Sequence, residues 1–115
     1  MKVQFTENEV KIMQTALDQW GLSAQVGQAV EECAELIVAL QKYINRTPQP
    51  KPHRQAGRQA SDLPGRVENI LDEIADVEMM LAQMRLILGI DDATLRKRIE
   101  YKFERLSSYL LRDEV

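Results

Sequence analysis

From Val30 to Leu40 the chain reads Val-Glu-Glu-Cys-Ala-Glu-Leu-Ile-Val-Ala-Leu, which sets three carboxylates into an otherwise apolar run of helical period. Glu32 and Glu35 are three residues apart, so on an α-helix they project side by side from one face. A second stretch, from Ile70 to Met80, repeats the device, with Glu73 and Asp76 at the same spacing among Ile70, Leu71, Ile74, Val77 and Leu81. If the two helices face each other, four acidic groups converge on one small volume. At roughly 6 Å and an effective dielectric near 20, each like-charged pair then repels by roughly 3 kcal/mol.

Local sequence supplies no counter-charge. None of Glu31, Glu32, Glu35, Glu73 or Asp76 has a Lys or Arg three or four residues away, and Glu31 and Glu35 oppose each other, as do Asp72 and Asp76. The ordinary role of such residues is a solvated surface charge or a helical salt bridge, and the second of these has no partner here. A shared hard cation is the natural alternative, because Mg²⁺ and Mn²⁺ prefer oxygen ligands and Mg²⁺ often bridges carboxylates and substrate phosphates.

In pattern, Glu31-Glu32-Cys33-Ala34-Glu35 reads EExxE, Glu73-Ile74-Ala75-Asp76 reads ExxD, and Lys102-Phe103-Glu104-Arg105 reads KFxR. In this order, from about Trp20 to Arg105, the chain resembles the MazG-like all-α nucleoside triphosphate pyrophosphohydrolases. The resemblance implies hydrolysis of a ribo- or deoxynucleoside triphosphate to the monophosphate and pyrophosphate, with nucleotide-pool cleaning as a possible role. It implies Mg²⁺, with Mn²⁺ as a substitute, on Glu32, Glu35, Glu73 and Asp76. Glu31 becomes a candidate to position or deprotonate the attacking water, or else an outer carboxylate. Lys102 and Arg105 become triphosphate partners, and the family implies a homodimer or homotetramer. Arg98 joins them from geometry alone, since Arg98, Lys102 and Arg105 stand at i, i+4 and i+7 on one helix face; the same row also reads as a solvated charged face. Two further functions stay open: a pyrophosphohydrolase of another substrate such as phosphoribosyl-ATP, and a non-catalytic helical module that keeps a cation site.

In 115 residues with 44% hydrophobic content there is room for a single domain with a core. A formal net charge of -3 offers no basic field for nucleic acid. The lone Cys33 fits a reducing cytoplasm and suits a small core position. No apolar run reaches membrane-spanning length, and Met1 to Glu7 lacks the apolar core of a signal peptide. Neither a nucleic acid nor a membrane is therefore expected as a partner.

Helical periodicity predicts an all-α fold of four helices, arranged as two antiparallel hairpins in a bundle. The first spans about 7–19, opened by a Thr6/Glu9 capping box and closed at Gly21, with Val10, Met13, Leu17 and Trp20 facing inward. The second spans about 24–45, capped by Ser23, with Val26, Val30, Cys33, Ile37, Leu40 and Ile44 as its core stripe and Glu32, Glu35 and Ala39 on an adjoining face. A Pro-rich loop follows at 47–65, either a surface excursion or a lid carrying Lys51, His53, Arg54 or Arg58 to substrate phosphates. The third helix covers about 66–88 and ends at Gly89. The fourth covers about 92–111 behind an Asp91 cap, with Leu95, Ile99, Leu106 and Leu110 as its stripe. Trp20 reads as a buried anchor of the first hairpin, with base stacking as the other option.

Overall fold

A computed structural model describes residues 4–46 and 56–113. Four helices make up the described chain, α1 (Glu7–Trp20), α2 (Leu22–Arg46), α3 (Ala56–Leu88) and α4 (Asp92–Asp113), and no strand occurs among the described residues. None of these helices is long and apolar enough to cross a membrane. The chain divides into two compact units, Met1–Met84 and Arg85–Val115.

Helix ends follow the local chemistry closely. The Thr6 hydroxyl accepts from the Glu9 backbone N–H at 3.1 Å while the Glu9 carboxylate accepts from the Thr6 N–H at 2.8 Å, a complete capping box. Gly21 serves two helices at once. Its N–H donates to the Leu17 carbonyl at 2.8 Å, and its own carbonyl accepts from Gln25 N–H at 3.2 Å, closing α1 and opening α2. The second helix thus starts at Leu22 behind Gly21, and Ser23 lies within it instead of capping it. Gly21 sits at φ 89° and ψ 166°, a region open in practice only to glycine. Gly21→Ala is accordingly expected to destabilise the chain by about 1–3 kcal/mol in urea unfolding, although a Cβ there meets nothing within 4 Å. The cost is backbone strain.

Within the second unit, Gly89 at φ 67° ends α3. Ile90 N–H donates to the Arg85 carbonyl at 2.9 Å and Gly89 N–H to the Leu86 carbonyl at 3.4 Å, a Schellman arrangement. The Asp91 carboxylate then accepts from Thr94 N–H at 2.7 Å, capping α4; this bond holds the Asp91 carboxyl below its ordinary range.

Helix α3 begins at Ala56, ten residues before the expected start, and runs through Pro64. Without an N–H, Pro64 forfeits one bond of the helical ladder, yet the helix continues. The expected 47–65 loop is thereby shortened to a connection whose residues, Lys51, His53 and Arg54 among them, lie outside the described residues; Arg58 belongs to α3.

The largest departure concerns which faces turn inward. On α2 the buried and half-buried positions are Gln25, Ala29, Glu32, Leu36, Ala39 and Tyr43, spaced alternately by four and three residues. The expected stripe lies one residue further on and is exposed: Val30 is 66% exposed and Ile37 60%, against 2% for Ala39. One residue is a 100° rotation, so a stripe shifted by one is a different face. Cys33 is exposed as well, not a core residue. Trp20, 62% exposed, is not a buried anchor, and Val10 is exposed while Met13 is buried. On α3, Leu71, Ile74 and Leu81 are exposed and Ile70, Val77 and Met80 face inward; on α4, Leu106 and Leu110 are exposed and Leu95 and Ile99 half-buried.

The first unit is closed by a polar lock. Buried Gln83, 4% exposed, donates from Nε2 to the Met13 carbonyl at 3.1 Å and ties α3 to α1.

Candidate metal centre

Helices α2 and α3 run antiparallel along the inward seam. Glu32 faces Asp76, Glu35 faces Glu73, and Ala39 shares a groove wall with Asn69, so rising positions on α2 meet falling positions on α3. The i, i+3 spacing places each acidic pair on one helix face. Only the tertiary register brings the two pairs together.

Glu32, Glu35 and Glu73 each present a carboxylate oxygen, and these three atoms lie within 4.8 Å of one another. Asp76 stands close enough to Glu32 to feel its charge. Glu32 and Glu73 are half-buried, Glu35 is exposed, and Glu31 lines the adjoining groove. Of the four anticipated ligands, Glu32, Glu35 and Glu73 are brought together, Asp76 neighbours Glu32 without joining that group, and Glu31 lies at the margin.

Its electrostatics are those of mutual repulsion among carboxylates. The Glu35 carboxyl is raised above its ordinary 4.5, first by the Glu32 charge, then by desolvation and by the Glu73 and Glu31 charges. Asp76 is raised above 3.8, first by burial and then by Glu32. Gln28 Nε2 donates to Glu32 Oε1 at 2.7 Å from one turn away. The other oxygen of Glu32, and Oε2 of Glu73, are buried with no hydrogen-bond partner among the described residues. Buried acceptors left this way are costly, more so when charged. Carboxylate oxygens are the donor type that hard cations such as Mg²⁺ and Mn²⁺ prefer.

Arg98, Lys102 and Arg105 are exposed on α4, in the second unit. The Arg105 guanidinium lies 6.0 Å from the Tyr101 ring centroid and donates to the Tyr109 hydroxyl at 3.3 Å, so two neighbours already hold it along the helix.

Two residues at the site escape the sequence reading. Lys42 and Asn69 line a groove of about 330 Å³ together with Glu31, Glu35 and Glu73. Their signal is spacing: Lys42 is seven residues beyond Glu35 and Asn69 four before Glu73, both on the face of the acid. Nothing marked that face as the inward one until the helices were paired.

No family model matches the chain, and no curated protein or solved structure is matched by it. Among the described residues, fold and site define an all-helical chain with three carboxylates gathered on the seam of two antiparallel helices and a fourth, Asp76, beside Glu32. What such a seam does follows from its chemistry.

Proposed function

We infer that this chain is a Mg²⁺-dependent nucleotide pyrophosphohydrolase of the MazG-like kind, releasing pyrophosphate from nucleoside triphosphates. The observation that carries the reading is the three carboxylate oxygens within 4.8 Å of one another, with Oε2 of Glu32 and of Glu73 buried and without a hydrogen-bond partner among the described residues. An isolated protein gains nothing from such an arrangement. A hard cation turns each repulsion into shared coordination.

In this reading Glu32, Glu35, Glu73 and Asp76 hold Mg²⁺, or Mn²⁺ in its place. When bound, the ion polarises phosphoryl oxygens and neutralises charge that develops on them. Glu31, at the groove margin, orients the attacking water and accepts its proton. The water oxygen bonds to the α-phosphorus, the α–β bridging bond breaks, and the electron pair leaves on pyrophosphate. A triphosphate carries more negative charge than the cation cancels, and the resemblance of Lys102-Phe103-Glu104-Arg105 to the family's basic segment, with Arg98 on the same helix face, makes these three residues its candidate cationic partners.

Assembly is part of the same proposal. A contiguous row of exposed Val26, Val30, Ile37 and Ile44 on α2 exceeds the scattered apolar residues normal for a monomer surface. It supports a homodimer or homotetramer.

The experiment is pyrophosphate and monophosphate release from a panel of ribo- and deoxynucleoside triphosphates with Mg²⁺, with Mn²⁺ and with chelator. Turnover confined to the metal conditions is expected. Silence across the panel from folded, metal-bound protein removes the nucleotide and leaves a different phosphorylated substrate or a non-catalytic cation-binding module.

A further inference from the structure

The acidic cluster is one end of a longer feature. The groove continues from Glu35 and Glu73 along the seam of α2 and α3, past Val38 and Ala39, to Lys42 and Asn69. Lys42 stands two helical turns from Glu35, about 10 Å along the axis, and Asn69 one turn, about 6 Å, from Glu73. Because the helices are antiparallel, both steps lead in the same direction, away from the carboxylates. A groove of about 330 Å³ falls at the lower end of small-molecule sites.

Chemistry changes along that length. The acidic end suits a cation and the phosphates it carries. The middle, walled by Val38 and Ala39, offers phosphate oxygens no donor but suits the face of a flat heterocycle. The far end is polar again, at the distance where the edge of a base would fall. There the donors are in excess: an ammonium has three and no acceptor, and a carboxamide has two beside its one carbonyl. Guanine offers O6 and N7 as acceptors, and thymine or uracil offers O4. Adenine and cytosine turn an amino group, a donor, to the position of that oxygen, and the N7 that adenine shares with guanine does not discriminate.

We propose that this groove receives the nucleobase and that Lys42, a donor with no acceptor, selects bases bearing an oxo group over bases bearing an amino group at that edge, while Asn69, able to donate or accept, bounds the groove without choosing. The proposal rests on the pyrophosphohydrolase reading and extends it from the phosphates to the base. Lys42 contacts the base edge, and the metal-bound phosphates lie beyond its role.

The test is kcat/KM of the full chain with Mg²⁺ on dGTP, dTTP, dATP and dCTP. The oxo pair is expected to exceed the amino pair by roughly 10-fold or more, as a good base-edge contact does. Lys42→Met, which keeps an apolar stem without the donors, should level the four. Lys42→Glu, which offers acceptors instead, should reverse the order. Lys42 is exposed, so both variants are expected to fold. A uniform loss on all four substrates, or no change, overturns the base assignment and leaves the pyrophosphohydrolase standing. If the wild-type chain binds Mn²⁺ yet turns over no nucleotide, the enzymatic reading falls instead. Binding of the α,β-imido analogues of dGTP and dATP then judges the groove by itself, and equal affinities overturn it.

Discussion

Glu35→Gln and Asp76→Asn are each expected to lower Mg²⁺-dependent pyrophosphate release by about 100-fold or more while raising the melting temperature of the metal-free chain. The two effects come from one cause. Each carboxamide keeps the size of the acid it replaces and removes one negative charge from a set in which Glu32 opposes both positions. Without a cation, repulsion is relieved and the fold gains. With one, a ligand is lost and the site fails. A purely structural carboxylate gives neither signature, and a surface charge of no consequence leaves both readings unmoved. Activity at the wild-type level in both variants would sink the metal assignment. Circular dichroism should report the same helix content throughout.

The second large effect is a pH dependence of stability whose sign depends on the cation. Glu35 and Asp76 have folded values raised above 4.5 and 3.8, so between the ordinary and the raised values the native chain binds more protons than the unfolded one. Stability then falls with rising pH across that window, because ionisation is resisted in the fold and free in the unfolded chain. In chelator, the melting temperature should therefore decline from about pH 4 upward as these two groups ionise, and level off above their raised values. In saturating Mg²⁺ the trend should reverse over the same window, since the ion binds only the deprotonated ligands. Glu35→Gln should show a shallower decline in chelator, which separates this cluster from the other carboxylates that titrate nearby. Thermal scans in chelator and in Mg²⁺ that superimpose at every pH would show that no cation binds here.

Much of the architecture was legible from local rules because those rules involve residues a few positions apart. Thr6 with Glu9, Gly21, Gly89 and Asp91 mark helix boundaries through bonds that close over three to five residues. The acidic pairs were legible for the same reason, since i, i+3 spacing alone puts two side chains on one helix face. The beginning of α3 was missed. Pro64 and Gly65 read as a break, yet a proline within a helix removes one hydrogen bond and does not forbid the turns before it.

The choice of inward face lay beyond local rules. On α2, two stripes of identical four-three spacing differ by one residue, Gln25-Ala29-Glu32-Leu36-Ala39-Tyr43 and Val26-Val30-Cys33-Ile37-Leu40-Ile44. Hydropathy favours the second. The fold turns in the first, where small Ala39 lies in the groove beside α3 and the apolar stripe stays at the surface.

The sequence by itself determined the four helices, most of their ends, and two acidic pairs each carried on one helix face, because each depends on neighbours within about one helical turn. Tertiary structure alone decided that the pairs meet, that Glu32 and Glu73 bury an oxygen without a partner, and that Lys42 and Asn69 share a groove with them. These are matters of register between helices distant in sequence, and register is set by which faces pack, a property of the pair of helices and not of either one.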